Sequence, residues 1–356
     1  MSKRILIAMS GGIDSSVAAM LLLEQGYELV GVTFRTFDSI KESCLAREKG
    51  CCSVESIMEA KHLAQQLGFE HHILDYRQIF RDTVIKNFID EYMHGRTPNP
   101  CVLCNSHIKW GELLRAADEF GCDYIATGHY AQIAEHNGHL YLKTAVDTRK
   151  DQTYFLWMLT EDNLRRTVFP LGGLTKPEVR AIAARHGFEK LSQKTESQEI
   201  CFVPDNDYRT FLAGEGCRVE QGNYIDENGK ILGTHQGYCN YTIGQRKGLG
   251  IALGQPRFVT KIDAERNEVT LGDHDDLLTN RITASHVTLR DPQWLADNPD
   301  VEIRIRYRSQ PVQATVQSYS NNSLLLLTNT PVWGVTPGQS LVIYKNNMLL
   351  GGGIID

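Results

Sequence analysis

The chain has 356 residues, more than one hydrophobic core of ordinary size accommodates, so two or three domains are expected. With 42% hydrophobic and 22% charged residues, no secretory signal ahead of Lys3 and no apolar run long enough for a membrane span, the composition is that of a soluble protein expected in the cytoplasm. A formal charge of −6 and a pI near 6.1 exclude a global attraction to nucleic acid and leave only local basic patches for any RNA contact.

Ile5 to Met9 is apolar without alternation, which suits a strand buried on both faces of a parallel sheet. Gly11 and Gly12 break it, and Val17 to Leu22 continue as a helix with Gly26 at its C-cap. The amides at the start of that helix, with the hydroxyls of Ser10, Ser15 and Ser16, are expected to face an anion. No Gly-Lys-Ser/Thr closes the turn, so it is not a Walker A loop, and Asp14 makes chemical sense as a residue that holds Mg²⁺ against phosphates. The pattern Ser-Gly-Gly-x-Asp-Ser-Ser resembles the PP-loop of ATP pyrophosphatases, which cut ATP between the alpha and beta phosphates and transfer AMP to an oxygen of the substrate.

Glu28 to Phe34 reads as the next strand, Val54 to Leu67 as an amphipathic helix closed by Gly68, and His71 to Leu74 as a third strand. This alternation predicts a doubly wound parallel sheet with its ligand at the C-terminal ends of the strands. Residues 38–53, which hold Cys44, Cys51 and Cys52, read as an excursion without a clear period. A helix around Arg81 to Tyr92 ends at Gly95. In the stretch from Arg96 to Asn105, Pro98 and Pro100 exclude a helix, and Cys101 and Cys104 close it ahead of a helical segment from about Lys109 to Phe120. Asp123 to Thr127 is a further strand that runs into Gly128-His129-Tyr130. Three helical segments follow between residues 150 and 186, the last starting at Thr175 with Pro177 in its first turn, and Ser197 to Pro204 reads as a short strand carrying Cys201. From about residue 217 short alternating strands separated by Gly, Asn and Asp turns predict an all-β half. The expected domains are therefore 1–205, 206–280 and 281–356, the last a barrel.

Nine cysteines without an export signal argue against a disulfide scaffold. Cys101 and Cys104 form a Cys-x-x-Cys, which is half a zinc site that no second pair completes and which lacks a thioredoxin-like context. The alternative joins Cys104, at or near a helix N-terminus where the thiolate is favoured, to Cys201 from a separate segment. Two such thiols facing an ATP site suggest sulfur carried as a persulfide and resolved as a disulfide. Cys44, Cys51, Cys52, Cys122, Cys217 and Cys239 read as packing or surface thiols. Farther on, the alternation from Glu302 to Arg308 predicts a strand with Arg304, Arg306 and Arg308 on one face and Ile303, Ile305 and Tyr307 on the other. Such a row suits RNA phosphates, while on its own it reads first as a solvated barrel face. Arg246 and Lys247 on a Gly-rich loop and the Lys150-Asp151-Gln152 cluster extend the same path for a large anionic partner.

A wider set of motifs occurs in order along nearly the whole chain: Ser10-Gly-Gly-Ile-Asp-Ser-Ser16, Thr97-Pro-Asn-Pro100, Cys104-Asn105, Ala126-Thr-Gly-His-Tyr130, Lys150-Asp-Gln-Thr-Tyr-Phe-Leu156, Phe169-Pro-Leu-Gly172, Glu199-Ile-Cys-Phe202, Tyr241-Thr-Ile-Gly-Gln-Arg-Lys-Gly-Leu-Gly250, Arg306-Tyr-Arg308 and Thr336-Pro-Gly-Gln339. Together they resemble the bacterial tRNA-specific 2-thiouridylase family. The resemblance implies an α/β fold, a doubly wound parallel sheet of the PP-loop ATP pyrophosphatase kind, followed by two small β-rich domains of which the last is a tRNA-contacting β-barrel. It implies ATP-dependent thiolation of wobble uridine 34 in tRNAs for Lys, Glu and Gln, with Mg²⁺, and with a persulfide sulfur donor or relay protein as partner.

Carried over by position, Ala8, Met9, Ser10, Gly11, Gly12, Ile13, Asp14, Ser15, Phe34 and Gly128 contact ATP. Cys201 carries the persulfide, Cys104 is the partner nucleophile, and Asn99, Pro100 and Cys101 face the target base. Lys150, Asp151, Gln152, Arg306 and Tyr307 touch tRNA. One position departs from the resemblance, because many family members have Asp where this chain has Cys101, and a thiol does not inherit an acid/base role. With that change an iron-sulfur cluster on Cys101, Cys104 and Cys201 becomes an alternative sulfur carrier. Two rivals are a PP-loop synthetase acting on a small molecule, with ATP turnover independent of RNA, and a tRNA-binding protein without catalysis.

Overall fold

The apolar runs of the first half become a parallel sheet. In this computed structural model, which describes residues 3–37, 54–193, 200–203, 207–217, 220–320 and 322–356, the strands β1 (Arg4–Ala8), β2 (Glu28–Arg35), β3 (Glu70–Asp75) and β4 (Tyr124–Ala126) precede a hairpin of β5 (Gln132–His136) and β6 (His139–Lys143), and β7 (Thr167–Val168) follows. The sheet order is β3-β2-β1-β4-β7 and every pairing is parallel. Ile5, Leu6 and Ile7 are each 0% exposed, so β1 is buried on both faces as its lack of alternation predicts. Each such side chain contributes about 1.5–3 kcal/mol of burial. Helices α1 (Ile13–Glu24) and α2 (Val54–Leu67) cover the sheet, and Val17, Ala18, Met20, Ala60 and Ala64 enter one core with Val179 and Ala183 of the helix Lys176–Arg185. That last helix starts in a capping box between Thr175 and Glu178. Cys44, Cys51 and Cys52 lie outside the described residues.

The strand order reverses at β1, whose neighbours are β2 on one side and β4 on the other. The turn after β1 and the segment after β4 therefore leave the same edge of the sheet side by side, where an open α/β sheet places its ligand.

Two sequence expectations change in this unit. A helix begins at Pro100 rather than near Lys109: an α-helical turn (Pro100–Leu103), a π-helical stretch (Cys104–Glu112) and a second α-helical piece (Leu113–Glu119) run in succession. Proline at the first helical position loses no hydrogen bond and already has the helical φ, so only the residues before it stay extended. The strand expected around Cys201 is a turn among the described residues, with the Val203 amide donating to the Ile200 carbonyl at 3.0 Å.

The chain divides into two compact units, Met1–Val84 with Cys101–Asn206 and Asn346–Leu349, and Ile85–Pro100 with Asp207–Lys345 and Leu350–Asp356. The second therefore takes in Ile85–Pro100, which lies far upstream of the rest of it. Aromatic contacts hold it there: Tyr92 stacks on Tyr208 at 4.7 Å, Phe88 meets Phe211 edge-on at 5.9 Å, and the Tyr238 hydroxyl donates to the Met93 carbonyl at 2.6 Å.

In this second unit β8 (Gly222–Ile225), β9 (Ile231–His235), β10 (Phe258–Asp263) and β11 (Glu268–Gly272) form a small sheet ordered β10-β11-β8-β9. Six further strands, β12 (Leu278–Leu289), β13 (Asp300–Arg304), β14 (Val312–Ser320), β15 (Ser323–Trp333), β16 (Ser340–Lys345) and β17 (Met348–Ile355), are ordered β12-β15-β14-β13-β16-β17. They close into a barrel where β12 meets β17, with Ala284 opposite Ile355 and Leu289 opposite Gly351. Closure removes the exposed sheet edges.

The predicted arginine row does not survive as a strand face. β13 ends at Arg304, and residues 305–308 leave the ladder in a turn. The Ser309 hydroxyl closes that turn, accepting from the Arg306 amide at 3.3 Å and donating to its carbonyl at 2.8 Å. Among the described residues no helix is long and apolar enough to cross a membrane.

Candidate active site

The turn after β1 carries Ala8, Met9, Ser10, Gly11, Gly12, Ile13, Asp14 and Ser15 into the first turn of α1. Gly11 has φ +66°, and an added Cβ would stand 2.3 Å from the Ser56 carbonyl oxygen of α2, so the turn admits only glycine there. The Ser15 and Ser16 hydroxyls both donate back to the Gly12 carbonyl, at 3.2 and 2.9 Å, and Ser15 Oγ accepts from the Ser10 amide at 3.2 Å. Those two hydroxyls therefore brace the turn, while Ser10 is exposed. Phe34 stands at the end of β2, edge-on to Tyr76 at 4.9 Å.

Thr127 to Tyr130, directly after β4, is the hub of the site. Gly128 lies against the phosphate-type turn so closely that an added Cβ would be 2.6 Å from the Ser15 amide nitrogen. The Tyr130 hydroxyl donates to Asp14 Oδ1 at 2.8 Å. His129 Nδ1 is 2.8 Å from Thr127 Oγ1 and its Nε2 is 3.4 Å from the Lys109 ammonium on the π-helical stretch. Burial, with the Lys109 charge adding to it, holds the His129 pKa well below the ordinary histidine value. The neutral ring then accepts from Lys109 at Nε2 and donates from Nδ1 to Thr127. Residues 150–152 brace the hub: the Tyr130 amide donates to Gln152 Oε1 and the Gln152 amide to the Tyr130 carbonyl, each at 2.9 Å. Asp151 is 2% exposed and its carboxylate accepts from the Ala145 amide and the Thr153 hydroxyl, so its side chain holds the loop together.

Asp14 is ion-paired. The Lys176 ammonium donates to Oδ1 at 2.7 Å and to Oδ2 at 2.9 Å, and the Lys176 side chain is 8% exposed. A divalent metal at this carboxylate would stand beside or in place of that ammonium, so the arrangement offers phosphates a lysine as well as an acid. Lys176 was visible in the sequence only as part of a helix start; that a charged residue in the first turn enters the site depends on where the helix docks.

Cys101 and Cys104 lie one turn apart, Cys101 in the first α-helical turn and Cys104 at the first position of the π-helical stretch. π-Helical turns concentrate at functional sites because they shift the side-chain register against the flanking helix. Here the shift is anchored by Trp110, fully buried with Nε1 donating to Thr167 Oγ1 of β7 at 2.8 Å, and by Asn105, whose Nδ2 donates to the Phe155 carbonyl at 3.0 Å. Cys101 and Cys201 are exposed free thiols, and Cys104 is half-buried. Cys101 is solvent-accessible, yet the protein around it desolvates the thiol and raises its pKa, with the Lys109 ammonium pulling the other way. Phe202, 1% exposed and edge-on to Phe80 at 5.6 Å and Phe37 at 6.3 Å, anchors the turn that presents Cys201.

Among the described residues no group of three or more His, Cys, Asp or Glu side chains is placed to hold a metal ion. Cys101, Cys104 and Cys201 thus form no preassembled set of three ligands among the described residues. Burial raises the pKa of Cys122, to about 11, and of Cys217 and Cys239, which keeps these thiols protonated.

In the second unit Arg306 is turned inward. Its Nη2 donates to Thr336 Oγ1 at 2.7 Å, to the Gly334 carbonyl at 2.9 Å and to the Ile243 carbonyl at 3.4 Å, and the guanidinium lies 6.0 Å from the Trp333 ring centre. Arg304 lies over Tyr344 at 5.4 Å, and Arg308 is exposed.

Three family models match in succession: a tRNA methyl transferase HUP domain over residues 3–205, a tRNA methyl transferase PRC-barrel domain over 209–273 and an aminomethyltransferase beta-barrel domain over 284–355. The chain is 46% identical to the tRNA-specific 2-thiouridylase MnmA of Amoebophilus asiaticus, covering 99% of this chain and 95% of that protein. It is 47% identical to the protein of the same name from Cytophaga hutchinsonii, covering 99% and 97%. Among solved structures, a 4-thiouridine synthetase in complex with RNA and ATP matches with a TM-score of 0.39 at 20% identity, over 60% of this chain and 50% of that one, a likeness too distant to carry chemistry.

Proposed function

The chain belongs to the tRNA-specific 2-thiouridylase family, and from that premise we propose that it uses ATP to replace the C2 oxygen of wobble uridine 34 by sulfur in tRNAs for Lys, Glu and Gln. The observation that carries this reading is the segment Thr127 to Tyr130, which touches the ATP-type turn through Gly128 and Tyr130 and the thiol-bearing helix through His129. Nucleotide activation and sulfur chemistry then share one site.

A carbonyl oxygen leaves poorly, whereas AMP leaves readily. The C2 oxygen attacks the alpha phosphate of ATP, bound along Ala8 to Ser15 with Phe34 and Gly128, and pyrophosphate departs. The Lys176 ammonium supplies positive charge where negative charge develops, and Asp14 would hold a Mg²⁺ ion that would supply further positive charge against the phosphates. A persulfide on Cys201, loaded by a sulfur donor protein, delivers its terminal sulfur to C2. Cys104 as thiolate attacks the Cys201 sulfur, the disulfide forms, its two electrons reduce the transferred sulfur, and AMP leaves. An external thiol reduces the disulfide before the next cycle. Asn99, Pro100 and Cys101 face the base, and Lys150 and Tyr307, on loops that Asp151, Gln152 and Arg306 hold in shape, lie along the tRNA.

The test is an anaerobic reaction of purified protein with unmodified tRNA for Glu, ATP, Mg²⁺ and a persulfide donor, scored for 2-thiouridine. Wild type is expected to thiolate, and Cys201→Ser to lose thiolation while binding tRNA normally. Thiolation by Cys201→Ser at the wild-type rate removes the sulfur assignment. AMP release that ignores tRNA points instead to a synthetase acting on a small molecule.

A further inference from the structure

The extended stretch Arg96 to Asn99 is short of backbone donors, because Pro98, like Pro100 after it, has no N–H. Within the second unit one barrel turn, residues 336–339, meets the Thr97 amide and the Thr97 and Pro98 carbonyls. The Thr97 amide donates to the Pro337 carbonyl at 2.9 Å. Gln339 Nε2 donates to two successive carbonyls, Thr97 at 3.1 Å and Pro98 at 3.0 Å. The Arg96 guanidinium reaches the Ile355 carbonyl at 3.1 Å and Glu91 Oε2 at 2.8 Å. Between these, Gly338 lets the chains touch, since an added Cβ would sit 2.8 Å from the Thr97 carbonyl oxygen. Gln339 is itself held by the barrel: its amide donates to the Thr336 carbonyl at 3.2 Å and its carbonyl accepts from Ile355 at 2.8 Å. The side chain is therefore an arm from a closed barrel, with its amide group committed to the backbone of another segment.

We propose that Gln339 is a positioning residue for the target base: by fixing the Thr97 and Pro98 carbonyls it sets the course of the chain through Asn99 and Pro100 into the thiol-bearing helix. This rests on the thiolation reading above. The physical lever is stiffness. Pro98 and Pro100 fix φ on either side of Asn99, and the residue before a proline is confined to extended backbone, so orientation at Pro98 is transmitted to Asn99 and to the start of the thiol-bearing helix. A shift of about 1 Å at a reacting group costs on the order of 10² in rate.

The experiment uses the full-length protein with Gln339→Glu, which keeps the size but removes both N–H donors, and Gln339→Ala, which removes the donors without adding charge. In the free protein, hydrogen exchange is expected to rise in peptides covering residues 96–104 while the core helices stay protected. With saturating tRNA and ATP, the thiolation kcat is expected to fall at least about tenfold in both variants while the tRNA Kd stays within about threefold. Unchanged exchange in both variants overturns the clamp. Faster exchange with unchanged kcat overturns the positioning role, and so does a weakened tRNA Kd with kcat intact, which makes Gln339 an RNA contact. If the wild-type protein fails to thiolate while exchange responds as expected, the clamp stands and the thiolation reading fails.

Discussion

Lys176 in the first unit and Arg306 in the second are both cations drawn away from solvent, and their partners set them apart. Lys176 faces a carboxylate, Asp14, which it shares with the Tyr130 hydroxyl. Arg306 faces neutral oxygens from three places in the chain, Ile243, Gly334 and Thr336. A carboxylate can be exchanged for a ligand's phosphate with the charge still balanced. Carbonyls that belong to two loops cannot be released without undoing the loops. A buried positive charge therefore has an exchangeable partner in one region and fixed partners in the other.

Removing the cation with the exchangeable partner is the strongest way to break this contrast. Lys176→Met is expected to lower the rate of tRNA-dependent AMP formation by about 10², the usual effect of losing one preorganised group at developing charge. Its Tm is expected to stay close to wild type, because the Asp14 side chain keeps 32% exposure and is rehydrated when unpaired. Activity near the wild-type level would place Lys176 with the scaffold. Arg306→Ala reverses the pattern: leaving its acceptors unmatched costs about 1–3 kcal/mol, seen as a fall of several degrees in Tm. In contrast, Arg308→Ala at an exposed position is expected to leave Tm unchanged and to reduce the salt slope of tRNA binding by about 0.9. An unchanged slope takes Arg308 off the RNA surface.

The smallest effect concerns pH. His71 Nε2 is 2.8 Å from Thr33 Oγ1, which donates to the Met9 carbonyl beside the PP-loop, and burial with the charges of His72 and Lys61 lowers the His71 pKa to about 4. Between the ordinary value of 6.5 and about 4 the unfolded chain binds a proton that the folded chain refuses. Stability is then full above that window and is lost as the pH falls through it. Thermal melts at pH 7.5 and pH 5 are expected to differ less in His71→Gln than in wild type, and an equal difference removes His71 from the acid sensitivity.

What was legible in the sequence was local. The buried character of β1, the Gly11-Gly12 turn, the helix that follows and the all-β second half depend on runs, periods and turn residues that act within a few positions of themselves. Pro100 marks the limit of that logic, because proline is both a helix breaker and a good first helical residue, and only the residues after it reveal which. Glu302 to Arg308 shows the same limit, since a two-residue alternation persists on paper after Ser309 has drawn the backbone out of the ladder.

The sequence by itself determined the parallel sheet, the phosphate-type turn at its edge and the identity of the thiols, because each rests on short-range backbone preference and on chemistry carried by single side chains. Tertiary structure alone decided that Lys176 meets Asp14, that His129 meets Lys109, and that Gln339 holds Thr97 and Pro98. The physical reason is distance along the chain. The Lys176–Asp14 and Gln339–Pro98 contacts join residues 162 and 241 positions apart, and no local pattern encodes which buried donor a distant acceptor will find once sheet and barrel have closed.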